Sequence, residues 1–179
     1  MKLTLIRHTS IDVPKGICYG KTDVRVSPTY CIEMEQARKE LQDKKFDSIF
    51  SSPLRRCTKL ASDIFPEANI RIDTRLTELD FGVWEMMSWD TIYQTRKGKD
   101  WFADYVNTPC LKGESFSCLI KRCESFLAFL RESKLQDIAV FTHAGVIRAL
   151  LSINQDITPE ETFYVPVPYG QIIDLNFNQ

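Results

Sequence analysis

Residues 137–151 read DIAVFTHAGVIRALL. An apolar run of strand length, Asp137–Phe141, stops at His143, and after Ala144-Gly145 the pattern VIRALL turns helical. The N-terminus repeats the first half of this layout, LTLIRH running to His8. Further strand-length runs rich in Ile, Val, Leu and Phe lie at Lys2–Ile6, Asp47–Phe50, Ile70–Ile72 and Ile172–Phe177. Helical patterns separate them. Ser27-Pro28 and Ser52-Pro53 each place an N-cap residue before a proline suited to a first helical turn, predicting helices from Pro28 to about Lys44 and from Pro53 to about Phe65. A third helix is predicted from Ser115 to about Ser133, along a stripe of Phe116, Leu119, Ile120, Cys123, Phe126, Leu127 and Leu130. Strands alternating with helices predict an α/β fold: a three-layer αβα sandwich with a mostly parallel central sheet. The segment 84–113, with Trp84, Trp89 and Trp101 and no strand signal, is expected to be a small helical insertion over the carboxyl ends of the strands.

The chain has 179 residues and no linker or repeat, so a single domain over 1–179 is expected. Its 23 Lys and Arg against 24 Asp and Glu leave no basic surplus to neutralise a nucleic-acid backbone. No stretch approaches the roughly 18 apolar residues of a membrane span. The N-terminal apolar stretch is too short for a signal peptide, which predicts a cytoplasmic protein. Six cysteines without a C-x-x-C, and with the histidines far from all of them but Cys18, read as reduced, mostly buried thiols and not as a zinc site.

The two histidines carry the chemistry. Each lies just beyond a predicted strand, and ligands of open parallel sheets gather at the carboxyl ends of the strands. Arg7 disfavours a second positive charge on His8 and so favours the neutral, nucleophilic imidazole. The strand-to-helix turn after His143 offers backbone N–H groups to an anion. In SSPLRR one of Arg55 and Arg56 can fork onto phosphate oxygens, the other being a solvated helix residue. Within LTELDFGVWE, carboxylates set among apolar residues suit proton transfer; Glu78 is the better candidate, with Asp80 and Glu85 as rivals. The same residues leave open a metal site of His8, His143 and Glu78 or Asp80, and a non-enzymatic phosphate-binding module.

RHT, SSPLxRC, LTELDFGxWE and FTHAGVIRALL, in this order from Leu3 to about Leu151, resemble the histidine phosphatase superfamily of phosphoglycerate-mutase-like enzymes. The resemblance implies a phosphomonoesterase without metal or cofactor. In it His8 becomes phosphorylated, Arg7 and Arg56 clamp the phosphate, His143 completes the pocket and Glu78 donates the proton; Arg55 falls one residue off the family arginine. Thr9 stands where the family usually has glycine, and its hydroxyl is a candidate phosphate contact. The stretch GICYGKTDV (16–24) with RHT and LDFGVWE resembles the α-ribazole phosphatase branch. That implies removal of the 5′-phosphate of α-ribazole 5′-phosphate, or its cobalamin-bound form, in cobalamin nucleotide-loop assembly. Tyr19, Gly20 and Trp84 are then substrate contacts, with Tyr19, Trp84 or Trp89 stacking on the benzimidazole. A broad sugar-phosphate or nucleotide phosphatase shares the same core. A phosphoglycerate mutase fits less well, because Arg96, Lys97, Lys99 and Lys112 of the insertion are offset by Asp90, Asp100 and Asp104. The expected partner is a small-molecule phosphate monoester, and the aromatic residues around the insertion suit a lid or a homodimer interface equally.

Overall fold

Along strand β1 (Lys2–Arg7) of the computed structural model, which describes residues 1–154 and 157–177, side chains alternate between two apolar cores. Leu3 and Leu5 enter one and Ile6 the other. The same period of two divides Phe50 from Ile49 in β2 (Ser48–Ser51), and Ile138 and Val140 from Ala139 and Phe141 in β4 (Asp137–Thr142). A strand that is apolar on both faces must be covered on both. With β3 (Ile70–Ile72) and β5 (Ile172–Asn176) the sheet has the order β3-β2-β4-β1-β5. Every pairing is parallel except β1 with β5, so the expected mostly parallel three-layer arrangement is what forms.

Helices α1 (Tyr30–Leu41) and α2 (Arg55–Ile64) cover the Ile6 face. Both begin about two residues after the predicted Ser-Pro starts. Ser27 Oγ accepts from the Thr29 N–H at 3.2 Å and closes a turn instead of a helical cap. Ser52 Oγ is 2.8 Å from His143 Nε2, so the side chain read as an N-cap is committed to the histidine. On the other face α5 (Phe116–Ser133) lays Phe116, Leu119, Cys123, Phe126, Leu127 and Leu130 against the sheet, beside α6 (Ala144–Asn154). Ser115 Oγ accepts from the Cys118 N–H at 3.3 Å and caps the helix where the stripe begins.

The insertion is helical, with α3 (Trp89–Gln94) capped by Ser88 and α4 (Arg96–Ala103) capped by Thr95. Trp89 and Trp101 stack at 5.8 Å with their planes 16° apart. Trp84, Ile92, Trp101 and Val106 join the same buried cluster as β1 and α5. Among the described residues Cys18, Cys57, Cys110 and Cys123 are buried thiols, and Cys31 and Cys118 are exposed ones. No described helix is long and apolar enough to cross a membrane.

Candidate active site

β1 and β4 are parallel neighbours in a register that pairs Arg7 with Thr142, so the next residue of each strand, His8 and His143, emerges at the same sheet edge. Their rings lie 5.2 Å apart. The His8 Nδ1 is 2.7 Å from the Thr9 carbonyl, which can only accept, so Nδ1 carries the proton. Arg56 Nε donates to His8 Nε2 at 3.2 Å, which requires Nε2 to be bare. Two independent neighbours therefore select one tautomer, with the lone pair on Nε2.

Arg56 is fully buried, and its other nitrogens donate to the Gly20 carbonyl at 2.6 Å and the Thr22 carbonyl at 2.8 Å. Arg7 donates through Nη1 to the Val167 carbonyl, packs 4.0 Å from the Tyr169 ring centroid, and keeps a buried Nε without a partner among the described residues. No carboxylate pairs with either guanidinium among the described residues, and a largely buried cation held only by neutral partners favours an anion. Arg55 points outward and pairs with Asp23 at 2.7 Å.

Burial, reinforced by Arg56, holds the His8 imidazole well below its ordinary pKa, with Arg7 adding to the effect. Burial and then Arg56 do the same to His143, which His8 and Arg7 also disfavour as a cation. Both rings are thus neutral at neutral pH. The unfolded chain takes up two protons below about pH 6.5 that the folded chain refuses, so stability rises with pH between the depressed folded values and about 6.5. The free energy of urea unfolding is expected to fall from about pH 7 to about pH 5.5, by up to about 1.4 kcal/mol per pH unit for each histidine. A flat profile across that interval contradicts the neutral pair.

The three rival carboxylates separate cleanly. Glu85 accepts from the N–H groups of Gly20, Lys21, Thr22 and Phe81 and from the Thr22 hydroxyl, which braces the loop whose carbonyls hold Arg56. Asp80 accepts from the Gly82 N–H and from Lys21. Glu78 alone shares a cavity of about 340 Å³ with Arg7, Tyr19, Gly145 and Arg148. Its carboxylate accepts from the Leu79 N–H at 3.0 Å and the Gly145 N–H at 3.2 Å. A β-carbon on Gly145 would sit 2.2 Å from Glu78 Oε1, so only glycine lets the carboxylate approach this turn. The two-histidine, one-carboxylate arrangement is not formed: among the described residues no three His, Cys, Asp or Glu side chains are grouped to hold a metal.

The expected substrate contacts divide. Tyr19 lines the cavity, its hydroxyl 2.5 Å from that of Tyr169. Trp84 does not: it is 2% exposed and packs 5.9 Å from Trp101 in the core, while Trp89, which was expected as its equal, lines the cavity. The short 3₁₀ turn Gly82–Trp84 points Trp84 inward. Gly20 is buried with the Leu79 carbonyl 1.9 Å from where a β-carbon would stand, so it serves the protein through its carbonyl on Arg56. Thr9 is fully buried, with Oγ1 unpartnered among the described residues. Ser52, Tyr169 and Arg148 were not singled out from sequence. Ser52 carried a helix-start signal that concealed its bond to His143, Cys57 lies 3.5 Å from the same nitrogen, and the last two reach the site only through tertiary folding.

A family model described as the histidine phosphatase superfamily (branch 1) matches residues 3–179. The crystal structure of the α-ribazole phosphatase from Shigella flexneri superposes with a TM-score of 0.91 at 25% identity, covering 100% of this chain and 92% of that one. Phosphoserine phosphatase 1 of Hydrogenobacter thermophilus is 28% identical over 158 residues, 84% of this chain and 74% of that protein. A 2,3-bisphosphoglycerate-dependent phosphoglycerate mutase of Cytophaga hutchinsonii is 25% identical over 179 residues, 94% of this chain and 84% of that protein.

Proposed function

Because the chain belongs to the histidine phosphatase superfamily, and is thereby a hydrolytic phosphatase, we propose that it works through a phosphohistidine on His8 and removes the 5′-phosphate of α-ribazole 5′-phosphate. One observation carries this reading. A cavity lined by Arg7 and Glu78 has otherwise largely aromatic and aliphatic walls, among them Tyr19, Phe81, Trp89 and Phe116, and buried against it lie Arg56, 5.7 Å from the Tyr19 ring, and the two neutral imidazoles, 5.2 Å apart. The cationic end suits a phosphate dianion, and the aromatic walls suit a flat ring such as benzimidazole. Its size falls at the lower end of the roughly 300–1,000 Å³ of small-molecule sites.

In the first step the His8 Nε2 lone pair attacks phosphorus, forming the N–P bond as the ester P–O bond breaks. Glu78 gives its proton to the departing alkoxide, and the imidazolium keeps Nδ1–H on the Thr9 carbonyl. Arg7, Arg56 and His143 stabilise the charge on the equatorial oxygens. In the second step Glu78 takes a proton from water, the oxygen attacks phosphorus, and the N–P bond breaks to return neutral His8 and free phosphate. Splitting one displacement into two is the usual gain of a covalent intermediate. A phosphoglycerate mutase retains a bisphosphate in a strongly basic site, and beyond Arg7 the cavity wall offers, among the described residues, Arg148 alone.

Phosphate release in the presence of EDTA from α-ribazole 5′-phosphate, phosphoserine, 3-phosphoglycerate and a ribonucleoside monophosphate tests the substrate. The expected result is a kcat/KM for α-ribazole 5′-phosphate at least about tenfold above the others. A higher value for phosphoserine or 3-phosphoglycerate overturns the α-ribazole reading and leaves the phosphatase standing.

A further inference from the structure

The cavity that Glu78 enters has a second guanidinium on its wall, and no step of the reaction uses it. Arg148 stands one helical turn beyond Gly145 on α6, and the Gly145 N–H holds the Glu78 carboxylate. Arg148 and Glu78 line the same cavity, so a leaving group whose ester oxygen meets Glu78 occupies space that Arg148 also borders. Its Nε donates to the Thr162 carbonyl at 3.2 Å and its Nη2 to the Val165 carbonyl at 3.4 Å. Phe163 lies 5.4 Å from the guanidinium carbon. These contacts tether the group, while Nη1 has no partner and no carboxylate pairs with it among the described residues. Around it Ile17, Leu79, Phe81, Trp89 and Phe116 offer no side-chain acceptor, and the Tyr19 hydroxyl is engaged by Tyr169.

Resting on the phosphatase reading above, we propose that Arg148 determines specificity by donating to an oxygen acceptor carried by the leaving group of the substrate. A tethered guanidinium loses little freedom on binding, and desolvation strengthens the hydrogen bond it makes. Two leaving groups supply that acceptor: a sugar hydroxyl, as in a nucleoside 5′-phosphate, and the carboxylate of a phosphohydroxy acid.

The test compares wild type, Arg148→Ala and Arg148→Lys on α-ribazole 5′-phosphate, phosphoserine and phenyl phosphate, whose ring bears no second oxygen. Arg148→Ala is expected to lower kcat/KM at least about tenfold more for an acceptor-bearing ester than for phenyl phosphate, chiefly through KM. Arg148→Lys, which keeps the charge and loses the fork, is expected to recover part of that difference. A differential loss on α-ribazole 5′-phosphate identifies the hydroxyl as the acceptor, and one on phosphoserine the carboxylate. Equal losses on all three esters overturn the proposal and assign Arg148 to holding residues 162–165. Absence of His8-dependent release from phenyl phosphate by the wild type overturns the phosphatase reading instead, and the subsite with it.

Discussion

His8→Ala is expected to lower phosphate release by about 10⁴-fold or more on every ester, the scale on which removing a covalent nucleophile acts. His143 is too far to substitute. Its ring centroid is 5.2 Å away and its Nε2 is committed to Ser52 Oγ at 2.8 Å. Water entering the vacated line of attack is the weaker nucleophile, and direct hydrolysis forfeits the covalent intermediate that divides the displacement. The variant removes a buried ring between two arginines, so its fold is checked by circular dichroism and its melting temperature is compared with that of the wild type. A folded variant within about tenfold of wild-type rates contradicts the phosphohistidine route.

The second large effect depends on the leaving group. Glu78→Gln keeps the shape and an acceptor for the Gly145 N–H but removes the proton that the departing alkoxide needs. An alkyl phosphate is expected to lose about 10²–10⁴-fold in kcat/KM, which reports the phosphorylation step, the usual worth of general acid catalysis. p-Nitrophenyl phosphate, whose phenolate leaves without help, is expected to lose less than about tenfold in kcat/KM, although its kcat falls with the hydrolytic step that both esters share. Gly145→Ala gives an independent check. The added methyl displaces a flexible carboxylate and not backbone, so the fold tolerates it while Glu78 is pushed from its place. It is expected to show the same leaving-group pattern in smaller measure. Equal losses in kcat/KM on the alkyl and p-nitrophenyl esters, in either variant, contradict Glu78 as the proton donor.

Much of this was legible in the chain because it depends on short-range patterning. The apolar runs at Lys2–Ile6 and Asp137–Phe141 mark strands covered on both faces, and the Phe116 to Leu130 stripe marks α5 to within a residue. The choice between Arg55 and Arg56, which charge alone left open, also had a periodic signal: Arg56, Leu60 and Ile64 stand four apart on the buried face of α2. Other features were not local. The Ser-Pro pairs misplace two helix starts, one because Ser27 closes a turn on the Thr29 N–H and the other because Ser52 spends its hydroxyl on a histidine 91 residues away. Trp84 and Trp89 look equivalent in sequence, and only the turn between them sends one into the core and the other to the cavity. Tyr169 covers Arg7, and Arg148 shares the cavity of Glu78, through long-range folding alone.

The central claim is that the phosphoryl group passes through His8. Rapid acid-free quenching during turnover of the wild type, followed by proteolysis and mass spectrometry, reads this directly. The account predicts an acid-labile phosphoryl adduct on the peptide containing His8, absent from His8→Ala and most abundant in Glu78→Gln turning over p-nitrophenyl phosphate, where the hydrolytic step lacks its base. Turnover with no adduct on His8 in any of these samples, or with an adduct on another residue that survives in His8→Ala, would contradict it.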